Sequence, residues 1–63
     1  MPIAHIHILE GRTPEQKRAA IERVTQALHE TLGAPPESIR VVIQEIPKEN
    51  WGIGGRTAKE LGR

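Results

Sequence analysis

The sequence contains no cysteine. No disulfide can therefore staple it, and no thiolate can ligate a metal. It also lacks phenylalanine and tyrosine, which leaves Trp51 as its one aromatic residue. Ile, Val, Leu and Ala must build whatever core 63 residues can make. A chain this short hides only ~60% of the surface its unfolded form exposes. Small scaffolds without such staples rely on unusually good packing or on oligomerisation. Self-association is the first expectation.

An excess of either charge is missing too. Nine Lys and Arg stand against eight Asp and Glu, for a formal net charge of +1. That balance removes the net electrostatic drive toward nucleic acid or an anionic membrane. No apolar run approaches the ~20 residues of a membrane span. The N-terminus lacks the basic segment and unbroken apolar stretch of a signal peptide. The expectation is one domain over residues 1–63, in the cytoplasm, with no nucleic acid and no membrane as partner.

What is present is patterned. In "MPIAHIHILEGR", residues 2–9 alternate. Ala4, Ile6 and Ile8 share one face; Ile3, His5, His7 and Leu9 share the other. Both faces carry apolar residues, as in a strand covered on one side and partly on the other. Gly11 ends it. In "TPEQ", Thr13 suits an N-cap, Pro14 the first helical turn and Gln16 a capping box. Ala20, Ile21, Val24, Ala27, Leu28 and Leu32 recur at helical spacing, with Arg18, Glu22, Arg23 and Glu30 on the wet side. Gly33 and the Pro35–Pro36 pair stop the helix, which is predicted over 14–32. His29 is expected on its exposed side. A second strand is predicted over 38–46. Strand, helix and strand make a βαβ unit with parallel strands and a right-handed crossover. Two strands are not a stable sheet alone, so the unit must borrow from other copies. The tail "PKENWGIGGRTAKELGR" has a tight turn or small hairpin at "GIGG" and is expected to pack on a neighbouring subunit.

Four residues, Pro2, Arg12, Arg40 and Trp51, are candidates to carry chemistry. A proline at the first position of a strand is ordinarily an edge residue. A start methionine before proline, however, is normally removed in cells. Pro2 would then hold a free secondary amine. Free α-amino groups titrate near ~7.7–8.0, and desolvation or nearby cations lower that value. A general base works best with a pKa near the operating pH. Arg12 lies just past the first strand, and Arg40 lies in the second beside Val42 and Ile46. A guanidinium on such an apolar face needs a partner, and arginine suits bidentate carboxylate recognition. Trp51 offers an apolar wall, or simply packing. Arg56 and Arg63 in the tail carry no comparable signal. His5 and His7 have the spacing of two metal ligands, but nothing in the sequence completes a site, so no metal is expected.

Together the "MPI" start, "IHILEGR", "EQK", "RVVIQE" and "WGIGG" resemble the 4-oxalocrotonate tautomerase family over the whole chain. The fold class this implies is α+β: a single βαβ unit with a C-terminal hairpin, pairing into four-stranded sheets. The resemblance implies a homo-oligomer, a hexamer arranged as a trimer of dimers. It implies a tautomerase without a cofactor, acting on small dicarboxylate 2-hydroxy-dienoates such as 2-hydroxymuconate. Pro2 would be the catalytic base and acid. Arg12 would hold the distal carboxylate. Arg40, from neighbouring subunits, would bind the reacting end and draw electron density there. The Leu9 backbone would orient the substrate. Trp51 stands where the best-known members carry phenylalanine, which leaves substrate preference open. Relatives that hydrate or dehalogenate unsaturated acids need a carboxylate to activate water; Ile53 occupies that stretch here. A promiscuous hydratase or dehalogenase-like relative acting on small unsaturated acids, a ribbon-type DNA-binding module and a non-catalytic assembly protein are the alternatives.

Overall fold

The computed structural model describes residues 2–63. Its order is β1 (Ile3–Leu9), α1 (Pro14–Leu32), β2 (Arg40–Ile46), β3 (Gly52–Ile53) and β4 (Arg56–Thr57). Short 3-10 turns at Pro36–Ser38 and Lys48–Asn50 precede β2 and β3. β1 and β2 pair in parallel; β3 and β4 pair antiparallel. This is the α+β arrangement expected, a βαβ unit with a C-terminal hairpin. The expected loss of Met1 falls outside the described residues.

Local chemistry sets the element limits. Thr13 Oγ1 accepts from the Gln16 amide at 3.1 Å, and the Thr13 amide donates to Gln16 Oε1 at 3.0 Å. This reciprocal pair starts α1 where the sequence predicts. Gly33 ends it with a φ of 71°, donating to the His29 carbonyl. His29 itself is half-buried rather than exposed, because Nδ1 reaches back 2.7 Å to the Ala34 carbonyl. β2 begins two residues later than predicted. Ser38 Oγ and the Ser38 amide both donate to Pro35 O, and this tightens residues 36–38 into a turn. β1 begins at Ile3, yet Pro2 still joins the ladder through its carbonyl, which accepts from the Arg40 amide at 3.0 Å. Gly54 and Gly55 both have positive φ, as a two-residue hairpin turn of the primed type requires.

The pleat divides the sheet. Ala4, Ile6 and Ile8 with Val41 and Ile43 lie half-buried on the helix side. Ile3, His5, Val42 and Gln44 lie on the open side and are exposed. Two strands about 4.8 Å apart are no wider than a helix about 10 Å across. The helix stripe is therefore only partly covered: Val24 and Leu28 are half-buried, whereas Ile21, Ala27 and Leu32 remain exposed. Among the described residues only Ile39 and Ala58 are buried. The surface of 4783 Å² exceeds the about 4,000 Å² of a typical folded monomer of 7.0 kDa. The radius of gyration of 14.6 Å likewise exceeds the about 10.6 Å of a compact domain this long. One copy has made its hydrogen bonds but not its core.

The tail folds on itself. The Ala58 amide donates to Trp51 O at 2.7 Å, and the Lys59 amide to Lys48 O at 3.3 Å. The Glu60 carboxylate accepts from the Thr57 amide and hydroxyl, and these bonds hold its pKa below the usual range. Among the described residues no helix is long and apolar enough to cross a membrane.

Candidate active site

Each strand end carries half of the expected constellation. At the start of the sheet, Pro2 is half-buried and bonded through its carbonyl to the Arg40 backbone. Its nitrogen is left out of the ladder. The Arg40 guanidinium is exposed and donates through Nη1 to the carbonyls of Glu37 (2.8 Å) and Ile39 (3.3 Å). Among the described residues no protein carboxylate pairs with it. The partner that the sequence leaves open is thus the 3-10 turn, on one side only. The remaining N–H groups are available to a ligand anion.

At the other end, Leu9 pairs with Ile46 and the Glu10 amide donates to Ile46 O. The chain then turns at Gly11, whose φ of 115° only glycine adopts without strain. Arg12 emerges from this turn and stands between two cavities. One, of about 230 Å³, lies under the helix start and is walled by Ile6, Ile8, Ala20 and Ile43. The other, of about 280 Å³, is an open groove lined by Leu9, Glu10, Gly11, Arg12, Lys48 and Arg63. Trp51 is half-buried nearby in sequence, ending the Lys48–Asn50 turn, and it lines neither cavity.

The geometry therefore brings Pro2 to Arg40 and Leu9 to Arg12, but not one pair to the other. Seven residues of β1 at about 3.3 Å each separate them by about 23 Å. No six-carbon substrate bridges that distance. Lys48 and Arg63 were not singled out by the sequence. They reach the groove through the turn after β2 and through the folded tail, and no local motif marks either. His5 and His7 stack on the open face, ring centroids 4.7 Å apart, with His5 Nε2 3.2 Å from Gln44 Oε1. Among the described residues no further His, Cys, Asp or Glu joins them as a metal ligand set.

Comparison with known proteins places this geometry. The family model for tautomerase enzymes matches residues 2–60. A 2-hydroxymuconate tautomerase of Pseudomonas putida is 64% identical over 63 residues, covering both chains completely. Among solved structures, a 4-oxalocrotonate tautomerase isozyme of Methylibium petroleiphilum superposes with a TM-score of 0.94 at 64% identity, over 98% of this chain and 100% of that one. A heterohexameric 4-oxalocrotonate tautomerase of Chloroflexus aurantiacus gives 0.92 at 34% identity, over 97% and 98%. With the strand-leading proline, the paired strands and the hairpin all in place, the chain belongs to the tautomerase family, isomerases that move a proton between enol and ketone.

Proposed function

We propose that the chain, as one domain over its whole length, tautomerises 2-hydroxymuconate-type dienols to the conjugated 2-oxo acid in a homo-oligomer, a hexamer built as a trimer of dimers. Removal of Met1 frees the Pro2 amine. The amine takes the proton from the 2-hydroxyl and returns one to carbon 5, so atoms and charge balance without any cofactor. Arg40 of a neighbouring copy meets the oxygen and carboxylate at the reacting end. Positive charge there stabilises the developing enolate and disfavours protonation of the amine, which keeps it basic. Leu9 and Arg12 of another copy orient the distal carboxylate, and Trp51 contributes an apolar wall.

The observation that carries this reading is the bonding of Pro2. It gives the sheet only its carbonyl, at 3.0 Å from the Arg40 amide, so its nitrogen takes no part in the ladder, and the residue as a whole is half-buried. The relatives named 2-hydroxymuconate tautomerase support the substrate class. The separation of Pro2 from Arg12 and the thin core both support a shared site in an oligomer. The test is ketonisation of 2-hydroxymuconate followed in the ultraviolet, on protein whose mass shows Met1 removed. Pro2→Ala is expected to lower kcat by about 10²–10⁴ fold, the range for loss of a general base, with the oligomer intact by sedimentation. Full activity in that variant would refute the role of Pro2.

A further inference from the structure

Arg12 does not stand alone in its groove. Lys48 and Arg63 line it as well, with Glu10 as the one acidic side chain. Glu10 is already engaged: Oε2 accepts from the Lys48 backbone amide at 3.2 Å. Its bond fixes the turn that carries Lys48, and its single negative charge stands against three cationic side chains in the groove. Among the described residues the ion pairs are Lys17–Glu45 and Arg56–Glu60, so Arg12, Lys48 and Arg63 have no anionic partner.

The position of Arg63 is built, not incidental. The Arg63 amide donates to Ala58 O at 2.9 Å, and the Gly62 amide to Lys59 O at 3.2 Å. Gly62 has a φ of 72°, the left-handed turn that sends the last residue back toward the groove. Ala58 is fully buried and tied to Trp51 O, and Lys59 is tied to Lys48 O. The same few bonds thus fasten the tail to the turn that bears Lys48. Three cationic side chains against one carboxylate leave an excess of positive charge, which an anion entering the groove offsets. Two guanidinium forks suit a carboxylate, and the lysine adds a point charge. A concave groove with an excess of one sign of charge also raises the local concentration of the opposite ion.

We propose that Arg63 and Lys48 complete the distal-carboxylate subsite around Arg12 and set a preference for dicarboxylate over monocarboxylate substrates. This rests on the tautomerase reading above and assigns two binding residues to it.

The probes are (E,E)-muconate and sorbate, which share a six-carbon diene and differ by one carboxylate. Their binding to the intact oligomer is read by calorimetry at about 0.1 M salt, where the Debye length is ~10 Å. The wild-type chain is expected to bind muconate more tightly. Arg63→Gln and Lys48→Gln each narrow the muconate-to-sorbate ratio about three- to tenfold, as loss of one charge contact does, and they act on muconate alone. Arg56→Gln leaves the ratio unchanged. In turnover, Arg63→Gln raises KM for 2-hydroxymuconate with kcat retained. At about 1 M salt, where the Debye length is ~3 Å, the differences shrink. An unchanged ratio in both variants, or an equal loss for both ligands, overturns the assignment. Because binding is read without turnover, that failure is separate from failure of the Pro2 mechanism, which the Pro2→Ala variant reports.

Discussion

Pro2 and Arg40 are neighbours by backbone, yet they carry opposite demands. The amine must lose charge to act as a base, and the guanidinium must keep it. In the proposed site the Arg40 of a neighbouring copy, rather than the one bonded to Pro2 in the same chain, meets the reacting centre and serves both demands. Arg40→Ala is expected to lower kcat by about 10²–10³ fold, as removal of a transition-state charge partner does. Arg56 is a fair control: it meets Glu60 at 3.8 Å, and both are exposed. Such surface pairs contribute little, so Arg56→Ala should stay within about twofold of wild type. Steady-state kinetics on 2-hydroxymuconate compares them, and equal losses would remove the special role of Arg40. Pro2, Arg12 and Arg40 could be proposed from the sequence because an amine freed by methionine removal and two guanidiniums name their own chemistry. Lys48 and Arg63 could not. Their convergence depends on a turn after β2 and on backbone bonds from residues 57–63, which no spacing rule anticipates.

At the scale of elements, caps were the most readable feature. The Thr13–Gln16 box and Gly33 delimit α1 within single residues because each acts on backbone groups next to it. Thr13→Ala should cost about 1 kcal/mol through the lost N-cap bond. Denaturant unfolding at fixed protein concentration reads this, and an unchanged midpoint would show that the cap is redundant. The start of β2 was less legible, since Ser38 can read as a strand residue until its hydroxyl closes on Pro35 O. The helix stripe was also overfilled relative to its cover. Ile21 and Leu32 belong to the apolar periodicity, but a two-stranded ribbon cannot reach them. The apolar pattern of α1 was written for a wider sheet than one copy supplies.

The whole molecule repeats that lesson. A surface of 4783 Å² and, among the described residues, a core of two describe a subunit, not a finished fold. The sequence showed this need through its length and its lack of aromatics. It did not show which faces remain open; the pleat does, with Val42 and Ile3 outward. Val42→Lys should weaken association at least about tenfold, since a charge buried in an apolar contact costs several kcal/mol. Sedimentation velocity over a dilution series reports it, and an oligomer of unchanged stability would mean that the open face of the sheet is not covered. The central claim is that Pro2 of one copy works with Arg12 of another. It is tested most directly by mixing two variants each expected to be impaired, Pro2→Ala and Arg12→Gln, unfolding them together and refolding the mixture. If the two groups come from different copies, random assembly restores both in roughly a quarter of the sites, and activity returns to about that fraction of wild type. Mixed oligomers of the same size that stay as impaired as their parents would contradict it.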